Sequence, residues 1–199
     1  GSHFVMITDS NGCVTTFPFT LVEPIPVIMN PTFSLFNGFT VACFGDSTTC
    51  ISVGASGGSA PYLYVWEFQD TIVSDSLCGL PADTFSVRII DANGCQLDTS
   101  FFLTTPQPIS DITIISNYNG YEIQCNGLSN GDIDLAVNGG VGPFSYLWST
   151  TETTQDISNL PAGIYQVIIT DANSCKDTIS FMLDEPPAIT DTVPMLGAT

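Results

Sequence analysis

Asp-Ala-Asn-Gly-Cys at residues 91–95 is one copy of a motif that occurs three times in this chain. The other copies are Asp-Ser-Asn-Gly-Cys at 9–13 and Asp-Ala-Asn-Ser-Cys at 171–175, so successive copies are separated by 82 and 80 residues. A fixed period of this length indicates a tandem array of small structural units. The period therefore predicts the architecture before any local pattern is considered.

Other segments recur with nearly the same period and define the predicted repeats. Asn-Gly at 37–38 and Cys-Phe-Gly at 43–45 return as Asn-Gly at 119–120 and Cys-Asn-Gly at 125–127. Proline-rich linkers follow each unit, and proline favours an extended connector between neighbours. The predicted boundaries are the C-terminal part of a repeat at 1–26, complete repeats at 27–108 and 109–188, and the first strand of a further repeat at 189–199.

The composition excludes several classes of partner. The chain carries 2 Lys and Arg against 20 Asp and Glu, a net charge of −18, while 44% of its residues are hydrophobic. It lacks the basic surface that binds nucleic acid or anionic lipid, and no apolar run approaches the roughly 18 residues of a membrane span. We therefore expect a folded core, no nucleic acid partner and no membrane insertion in this segment.

Short alternating segments predict strands throughout. Ile133, Leu135 and Val137 alternate with smaller or acidic residues, and 164–170 is rich in β-branched and aromatic residues. Gly, Pro and Asn-Gly turn signals separate these segments. The pattern predicts an all-β fold of tandem immunoglobulin-like β-sandwich repeats, each of about 80 residues. Leu-Pro-Ala-Gly-Ile-Tyr, ending at Tyr165, has the form of a tyrosine corner.

An aromatic series lies on one face of a predicted strand in each complete repeat. Its members are Tyr62, Tyr64, Trp66 and Phe68 in the first repeat and Phe144, Tyr146 and Trp148 in the second. Aromatic rings on an exposed sheet stack on sugars, which would indicate a carbohydrate-binding module. A small sandwich also needs large aromatic side chains in its core. Recurrence at the corresponding strand favours the core interpretation.

The seven cysteines predict disulfides and an extracellular setting. Cys43 corresponds to Cys125 by repeat position, and Cys95 corresponds to Cys175. The simplest rule places one bridge in each repeat, Cys43–Cys95 and Cys125–Cys175, with Cys13 unpaired. Two further cysteines occur only in the first complete repeat and predict a third bridge, Cys50–Cys78. The spacing fits no zinc site, because no Cys-x-x-Cys is present.

Calcium is the one cofactor that the sequence leaves open, and none is required. Calcium prefers roughly six to eight oxygen ligands. The candidate ligands are Asp46, Asp91, Asn93, Asp132, Asp171 and Asn173. Turn chemistry explains the same motif, since aspartate and asparagine side chains cap the backbone of turns.

Catalysis is not expected. Nucleophilic triads and dyads use an imidazole, and His3, in an incomplete repeat, is the single histidine. Acidic pairs of the kind that hydrolyse glycosides are available. However, Asp91 and Asp171 occupy the same turn of successive repeats, where capping is the better interpretation. The sequence therefore predicts that this is not an enzyme.

Taken in order, these motifs resemble the SprB repeat. They are Cys-x-Gly, Gly-Gly-x-x-Pro-[Tyr/Phe]-x-Tyr-x-Trp, Leu-Pro-Ala-[Gly/Asp]-x-[Tyr/Phe]-x-Val and Asp-Ala-Asn-x-Cys. The resemblance extends over both complete repeats and both fragments. SprB repeats occur in very large surface adhesins of gliding bacteria that are exported by type IX secretion. The resemblance implies a cell-surface repeat protein, with adhesion and gliding motility among the family's roles, and it implies no catalytic residues.

Short Asp-[Ser/Thr] triplets look like an O-glycosylation acceptor known among bacteria that carry this repeat. The candidate acceptor residues are Ser47, Thr71, Ser76, Thr178 and Thr192. Ordinary turn composition produces the same triplets, so this interpretation stays open.

These observations predict a non-catalytic repeat segment of an extracellular adhesin stalk at the cell surface. Two alternatives remain open: a structural subunit of an extracellular filament or sheath, and a carbohydrate-binding module. The expected partners are neighbouring repeats of the same long chain, together with surface glycans or like filaments.

Overall fold

The structure is a computed structural model that describes residues 1–67 and 72–190. Every regular element in these residues is a strand, which confirms the all-β prediction. No helix in the described ranges has the length and apolar character needed to cross a membrane. The strands are β1 (Ser2–Thr8), β2 (Val14–Thr20), β3 (Ile28–Phe33), β4 (Thr49–Ser56), β5 (Leu63–Trp66), β6 (Ile72–Val73), β7 (Ser76–Leu80), β8 (Thr84–Ile90), β9 (Gln96–Phe102), β10 (Ser110–Ile115), β11 (Ser129–Asn138), β12 (Ser145–Trp148), β13 (Ile157–Pro161), β14 (Gly163–Thr170) and β15 (Lys176–Leu183).

The chain divides into two compact units. Unit 1 comprises Gly1–Phe33, Cys50–Cys78 and Thr84–Phe102, and unit 2 comprises Ser34–Thr49, Gly79–Asp83 and the described residues from Leu103 onward. Unit 2 therefore contains the second complete repeat together with two segments that belong to the first repeat in the sequence.

The second complete repeat is an immunoglobulin-like sandwich. β10-β11-β13 form one antiparallel sheet, and β12-β14-β15 form the other. In chain order, the first, second and fourth strands share one sheet, and the third, fifth and sixth share the other. Strands A, B and E and strands C, F and G are divided between the sheets of an immunoglobulin domain in the same way. The predicted fold class is confirmed.

Alternation along the strands places the core of this sandwich. Leu135 on β11 and Val167 and Ile169 on β14 are fully buried, while the side chains between them point outward. Trp148 is also buried, lies 6.0 Å from Phe181 between ring centroids, and donates its indole hydrogen to a backbone carbonyl. The tryptophan therefore has both the apolar packing and the polar partner that a buried indole requires.

The predicted tyrosine corner is present in the second repeat. The hydroxyl group of Tyr165 donates to the carbonyl oxygen of Pro161 at 2.8 Å. This bond spans the tight connection between the end of β13 and the start of β14. At the corresponding position of the first repeat, Phe85 is buried and has no hydroxyl group. Both repeats therefore bury an aromatic ring at this position, and the second repeat adds the hydroxyl hydrogen bond.

The first complete repeat has the same two-sheet arrangement with one added short strand. Its sheets run in the order β3-β4-β7 and β6-β5-β8-β9. Trp66 is fully buried and donates to the carbonyl oxygen of Ser74 at 2.9 Å. Tyr62 and Tyr64 are half-buried, and Phe68 lies outside the described residues. The prediction that the tryptophans form the cores is confirmed.

The recurring Gly-Gly pair holds the proline linker against each sandwich. Gly57 and Gly139 have φ angles of 69° and 71°, a region that glycine adopts readily. A β-carbon on Gly139 would lie 1.9 Å from the carbonyl oxygen of Pro108, and one on Gly57 would lie 2.0 Å from that of Pro26. No larger residue fits at either position without moving the linker backbone.

Candidate functional site at the cysteine junction

The Asp-x-Asn-x-Cys motif forms the turn of a β-hairpin in all three copies. It joins β1 to β2, β8 to β9 and β14 to β15. In each copy one carboxylate oxygen accepts the amide hydrogens of the residues two and four positions later, at 2.8 or 2.9 Å. The residue before the cysteine has a positive φ, which is 69° at Ser174. The aspartate therefore acts as the backbone cap of the turn.

In both complete repeats the second carboxylate oxygen of this aspartate holds a neighbouring loop. Oδ2 of Asp91 accepts the amide hydrogen of Ser59 at 2.9 Å, and Oδ2 of Asp171 accepts that of Val141 at 3.0 Å. Both aspartates are buried. Burial acts to raise the pKa of Asp91, but hydrogen bonds from the amides of Cys95, Ser59 and the turn outweigh it, so the pKa lies below its ordinary value of 3.8.

The proposed calcium ligands serve mainly as turn and strand residues. Asp46 is half-buried in a turn, and its own backbone amide donates a hydrogen bond to the carbonyl oxygen of Cys43. Asp132 is exposed on β11 and accepts a long hydrogen bond from the amide of Asn159 at 3.4 Å. Within 1–67 and 72–190, no three acidic, histidine or cysteine side chains are grouped as a metal site would require.

The structure joins Cys43 to Cys175, with their α-carbons 5.5 Å apart. Both residues lie in unit 2, although the sequence places them in successive repeats. The predicted pairs Cys43–Cys95 and Cys125–Cys175 are therefore wrong. The remaining cysteines, Cys13, Cys95 and Cys125, are free and exposed, and all seven cysteines of the chain lie among the described residues.

Strand direction explains why a repeat does not bridge its own two cysteines. Ser129 opens β11 just after the Cys125 loop and pairs with Pro161, immediately before β14 begins. The Cys175 turn follows the other end of β14. Eight extended residues span about 25 Å, whereas the α-carbons of a disulfide lie within about 7 Å of each other. The two cysteines of one sandwich therefore lie at opposite ends of it.

Hydrogen bonds reinforce the bridge inside unit 2. The side-chain amide of Asn37 donates to Oδ1 of Asn173 at 2.6 Å, and Nδ2 of Asn173 donates to the carbonyl oxygen of Ala42 at 3.0 Å. Asn37 is held at a φ of 48° in a two-residue turn, with Phe36 and Phe39 bonded to each other across it. The Asn-Gly pair thus presents an amide group to the Asp-x-Asn-x-Cys turn.

Sequence reasoning missed these contacts. The Asn-Gly pair at 37–38 is a strong turn signal, but it carries no information about the turn's partner. Ala42 acts through its backbone carbonyl, so its side chain gives no signal at all. The spacing of the motifs could have predicted the contact between the Asn37 turn and the Asn173 turn only if the directions of the strands had also been known.

A second bridge joins Cys50 to Cys78. These residues lie on β4 and β7, which are neighbours in one sheet of the first repeat. The pair agrees with the prediction made from its joint occurrence in that repeat.

The glycosylation candidates occupy different surroundings. Ser47 and Thr178 are exposed, and Ser76 is half-buried on β7. Thr71 and Thr192 lie outside the described residues. Modification of these residues stays a prediction.

Comparison with known proteins finds a repeat family that two segments of the chain resemble. Residues 41–70 and 122–153 match the SprB repeat family. No curated protein matches the chain. Among solved structures, the N-terminal eight Ig domains of Down Syndrome Cell Adhesion Molecule isoform 1.30.30 align with 90% of this chain and 27% of that longer chain, at 10% identity and a TM-score of 0.43. The two matched segments lie at corresponding positions of the complete repeats, and the predicted resemblance to the SprB repeat is confirmed for these segments.

Proposed function

We propose that this chain is a non-catalytic segment of tandem SprB repeats in the stalk of an extracellular adhesin at the cell surface. The observation that carries the proposal is the match to the SprB repeat at corresponding positions of two successive repeats. Recurrence of one module along a chain suits a spacer that holds a binding region away from the cell, because length grows with the number of repeats.

The disulfides support an extracellular location. Two bridges are present, and disulfides persist in oxidising compartments outside the cytosol. On the chain-entropy model, closing a loop of 132 residues stabilises the fold by about 5 kcal/mol. Such a contribution suits a protein that works where the cell neither refolds nor replaces it quickly.

The linkers support a stalk that resists bending. In unit 2 the carbonyl oxygen of Pro108 packs against Gly139, and Gly140 donates its amide hydrogen to the carbonyl oxygen of Gln107 at 2.9 Å. The proline-rich linker is therefore bonded to the sandwich that follows it and is not a free tether. Adhesion under drag, including gliding motility, is the role that we propose for such a stalk, with export by type IX secretion.

Lateral assembly into a filament or sheath is the second candidate. Ile164 and Met182 are register partners on β14 and β15, and they are 75% and 59% exposed. Ile112 and Ile114 on β10 are exposed as well. Exposed apolar pairs of this kind favour contact with other chains. A carbohydrate-binding role has less support, because the tryptophans that would stack on sugars lie in the cores.

Labelling and imaging of native cells test the proposal. Antibodies raised against this chain should label intact cells, and negative-stain images of the released protein should show single thin strings. Labelling only after permeabilisation would exclude the surface location, and thick ordered fibres would favour the filament. Deletion of the gene should weaken attachment to surfaces and gliding; unchanged attachment and movement would contradict the adhesive role.

Calcium is tested separately. We propose that the fold requires no cofactor, because the turn aspartates already accept backbone amide hydrogens. The melting temperature should be the same in a calcium chelator and in added calcium. A marked rise with calcium would instead assign it a structural role.

A further inference from the structure

The three free cysteines follow one rule. The Cys43–Cys175 bridge joins a loop cysteine of one repeat to the turn cysteine of the next repeat in the sequence. Cys125 is the loop cysteine of the second complete repeat, while Cys13 and Cys95 are turn cysteines. Under this rule the partner of each free cysteine lies in a repeat segment outside these 199 residues.

The bridged and free copies of the turn differ in exposure. Asn173 and Cys175 are half-buried, whereas Asn93 and Cys95, at the same positions of the preceding repeat, are exposed. The side-chain amide of Asn93 donates instead to the hydroxyl oxygen of Ser59, within its own unit. The structure thus contains a bridged form of the turn at Cys175 and a free form of the same turn at Cys95.

The loop side differs in the same way. Ala42 and Cys43 are half-buried, whereas Gln124 and Cys125 at the corresponding positions are exposed. A pocket of 440 Å³ lies beside the exposed cysteine and is lined by residues 124–126 and 186–189. In unit 2 a pocket is lined by the corresponding residues 43–44 and 106–109, and Asp171, Ser174 and Cys175 of the bridged turn form another part of its wall.

The exposed loop is already held in shape. The carboxylate of Glu185 accepts hydrogen bonds from the side chain of Asn126 at 2.8 Å and from the amide of Gly127 at 2.7 Å. These contacts connect the loop to the linker that forms the other wall of the pocket. A preformed surface loses little conformational freedom when a partner docks.

We propose that the face formed by residues 124–126 and 186–189 is the docking site for the Asp-x-Asn-x-Cys turn of a further repeat, covalently closed through Cys125. By the same rule, Cys95 and Cys13 form disulfides with loop cysteines of preceding repeats. Successive repeats are then linked twice, once by the backbone and once by a disulfide. Neither the SprB match nor the proposed adhesive function is needed for this inference.

Formation of each bridge is a two-electron oxidation. The two thiols lose two protons and two electrons as the S–S bond forms, and a small-molecule disulfide such as oxidised glutathione accepts them and becomes two thiols. The attacking species is the thiolate, and the exposure of Cys125 gives the oxidant access to it.

An extended chain tests the proposal. A second copy of residues 109–188 is inserted between 188 and 189, and the protein is folded with oxidised and reduced glutathione. The copy carries Ser129→Thr and Thr178→Ser at exposed positions, so its cysteine peptides differ in mass from those of the parent. Alkylation followed by non-reducing peptide mapping should find Cys125 joined to the turn cysteine of the inserted copy. Persistence of the Cys43–Cys175 bridge shows in every sample that the parent fold is intact.

Two variants of the extended chain distinguish a bridge to Cys125 from a bridge to any other cysteine. Cys125→Ser should leave the inserted turn cysteine open to alkylation, whereas Cys13→Ser should leave it bridged. If the inserted turn cysteine remains bridged in the Cys125→Ser chain, it has paired with a cysteine other than Cys125 and the proposal fails. The proposal also fails if Cys125 remains alkylatable in the extended parent, or if it links two chains to each other.

Discussion

The side-chain amide of Asn37 donates to the side-chain oxygen of Asn173 at 2.6 Å, although 136 residues separate them in the sequence. Asn37 belongs to an Asn-Gly turn near the start of one repeat, and Asn173 belongs to the hairpin turn near the end of the next. The same two turns carry or adjoin the cysteines of the long-range bridge. Both turns lie in unit 2, so this contact joins segments of two successive repeats within one compact unit.

The contacts of Asn173 predict that its replacement by alanine lowers the free energy of unfolding more than the same replacement of Asn93. Asn173→Ala removes hydrogen bonds to Asn37 and to the carbonyl of Ala42 and should lower the free energy of unfolding by about 1–2 kcal/mol. The matched control is Asn93→Ala, which occupies the same turn position but loses only its contact with Ser59. Urea unfolding should show the smaller effect for the control. Equal effects would mean that the junction contacts of Asn173 contribute no more than the single bond of Asn93 to Ser59.

The Gly-Gly pair predicts a severe effect from a small substitution. Gly139→Ala adds a β-carbon 1.9 Å from the carbonyl oxygen of Pro108 and keeps an unfavourable positive φ, so it should destabilise the fold by at least about 2 kcal/mol. Gly142→Ala is the control, because its β-carbon meets only an ordinary contact at 3.7 Å and the first repeat has Ala60 there. Thermal melting should separate the two. A Gly139→Ala chain that melts with the control would show that the linker is free to move.

The lowered pKa of Asp91 predicts loss of stability in acid. A carboxylate whose pKa is lower when folded stabilises the protein above its unfolded pKa, and this contribution is lost as the pH falls below 3.8 toward the folded value. Asp91→Asn should therefore reduce the slope of unfolding free energy against pH below about pH 4. The exposed residue Asp134 supplies the control substitution, Asp134→Asn. An unchanged slope in the Asp91 variant would show that its amide contacts do not favour the charged form.

The long-range bridge predicts a specific mechanical response. When the chain is pulled from its ends, residues 43–175 should contribute no extension while the bridge is intact. Cys43→Ser should add about 36 nm of contour length, because the bridge at 50–78 keeps part of the released segment closed. A Cys43–Cys95 bridge would predict a gain of about 8 nm instead. Cys13→Ser, which removes a free cysteine, should leave the traces unchanged.

The local features of the fold follow from local sequence. Alternation places Leu135 and Val167 in the core, the Leu-Pro-Ala-Gly-Ile-Tyr segment predicts the tyrosine corner at Tyr165, and recurrence of the aromatic series assigns Trp66 and Trp148 to the cores. Each of these depends on residues that are close in sequence or in one strand. Propensity and periodicity are informative at that range.

The partners of Cys43 and Cys175 do not follow in the same way. Repeat equivalence shows that Cys43 resembles Cys125 and that Cys95 resembles Cys175, but a bond inside a repeat and a bond to the next repeat satisfy it equally. The choice depends on where each cysteine lies along β14, which requires the directions of the strands. The simplest pairing rule ignored the length of that strand and was wrong for this reason.

Disulfide mapping of the oxidised, unreduced protein tests the account most directly. Free thiols are alkylated, the chain is digested without reduction, and linked peptides are identified by mass spectrometry. The account predicts a peptide containing Cys43 joined to one containing Cys175, with Cys95 and Cys125 alkylated. Recovery of Cys43 joined to Cys95, or of Cys125 joined to Cys175, would contradict it.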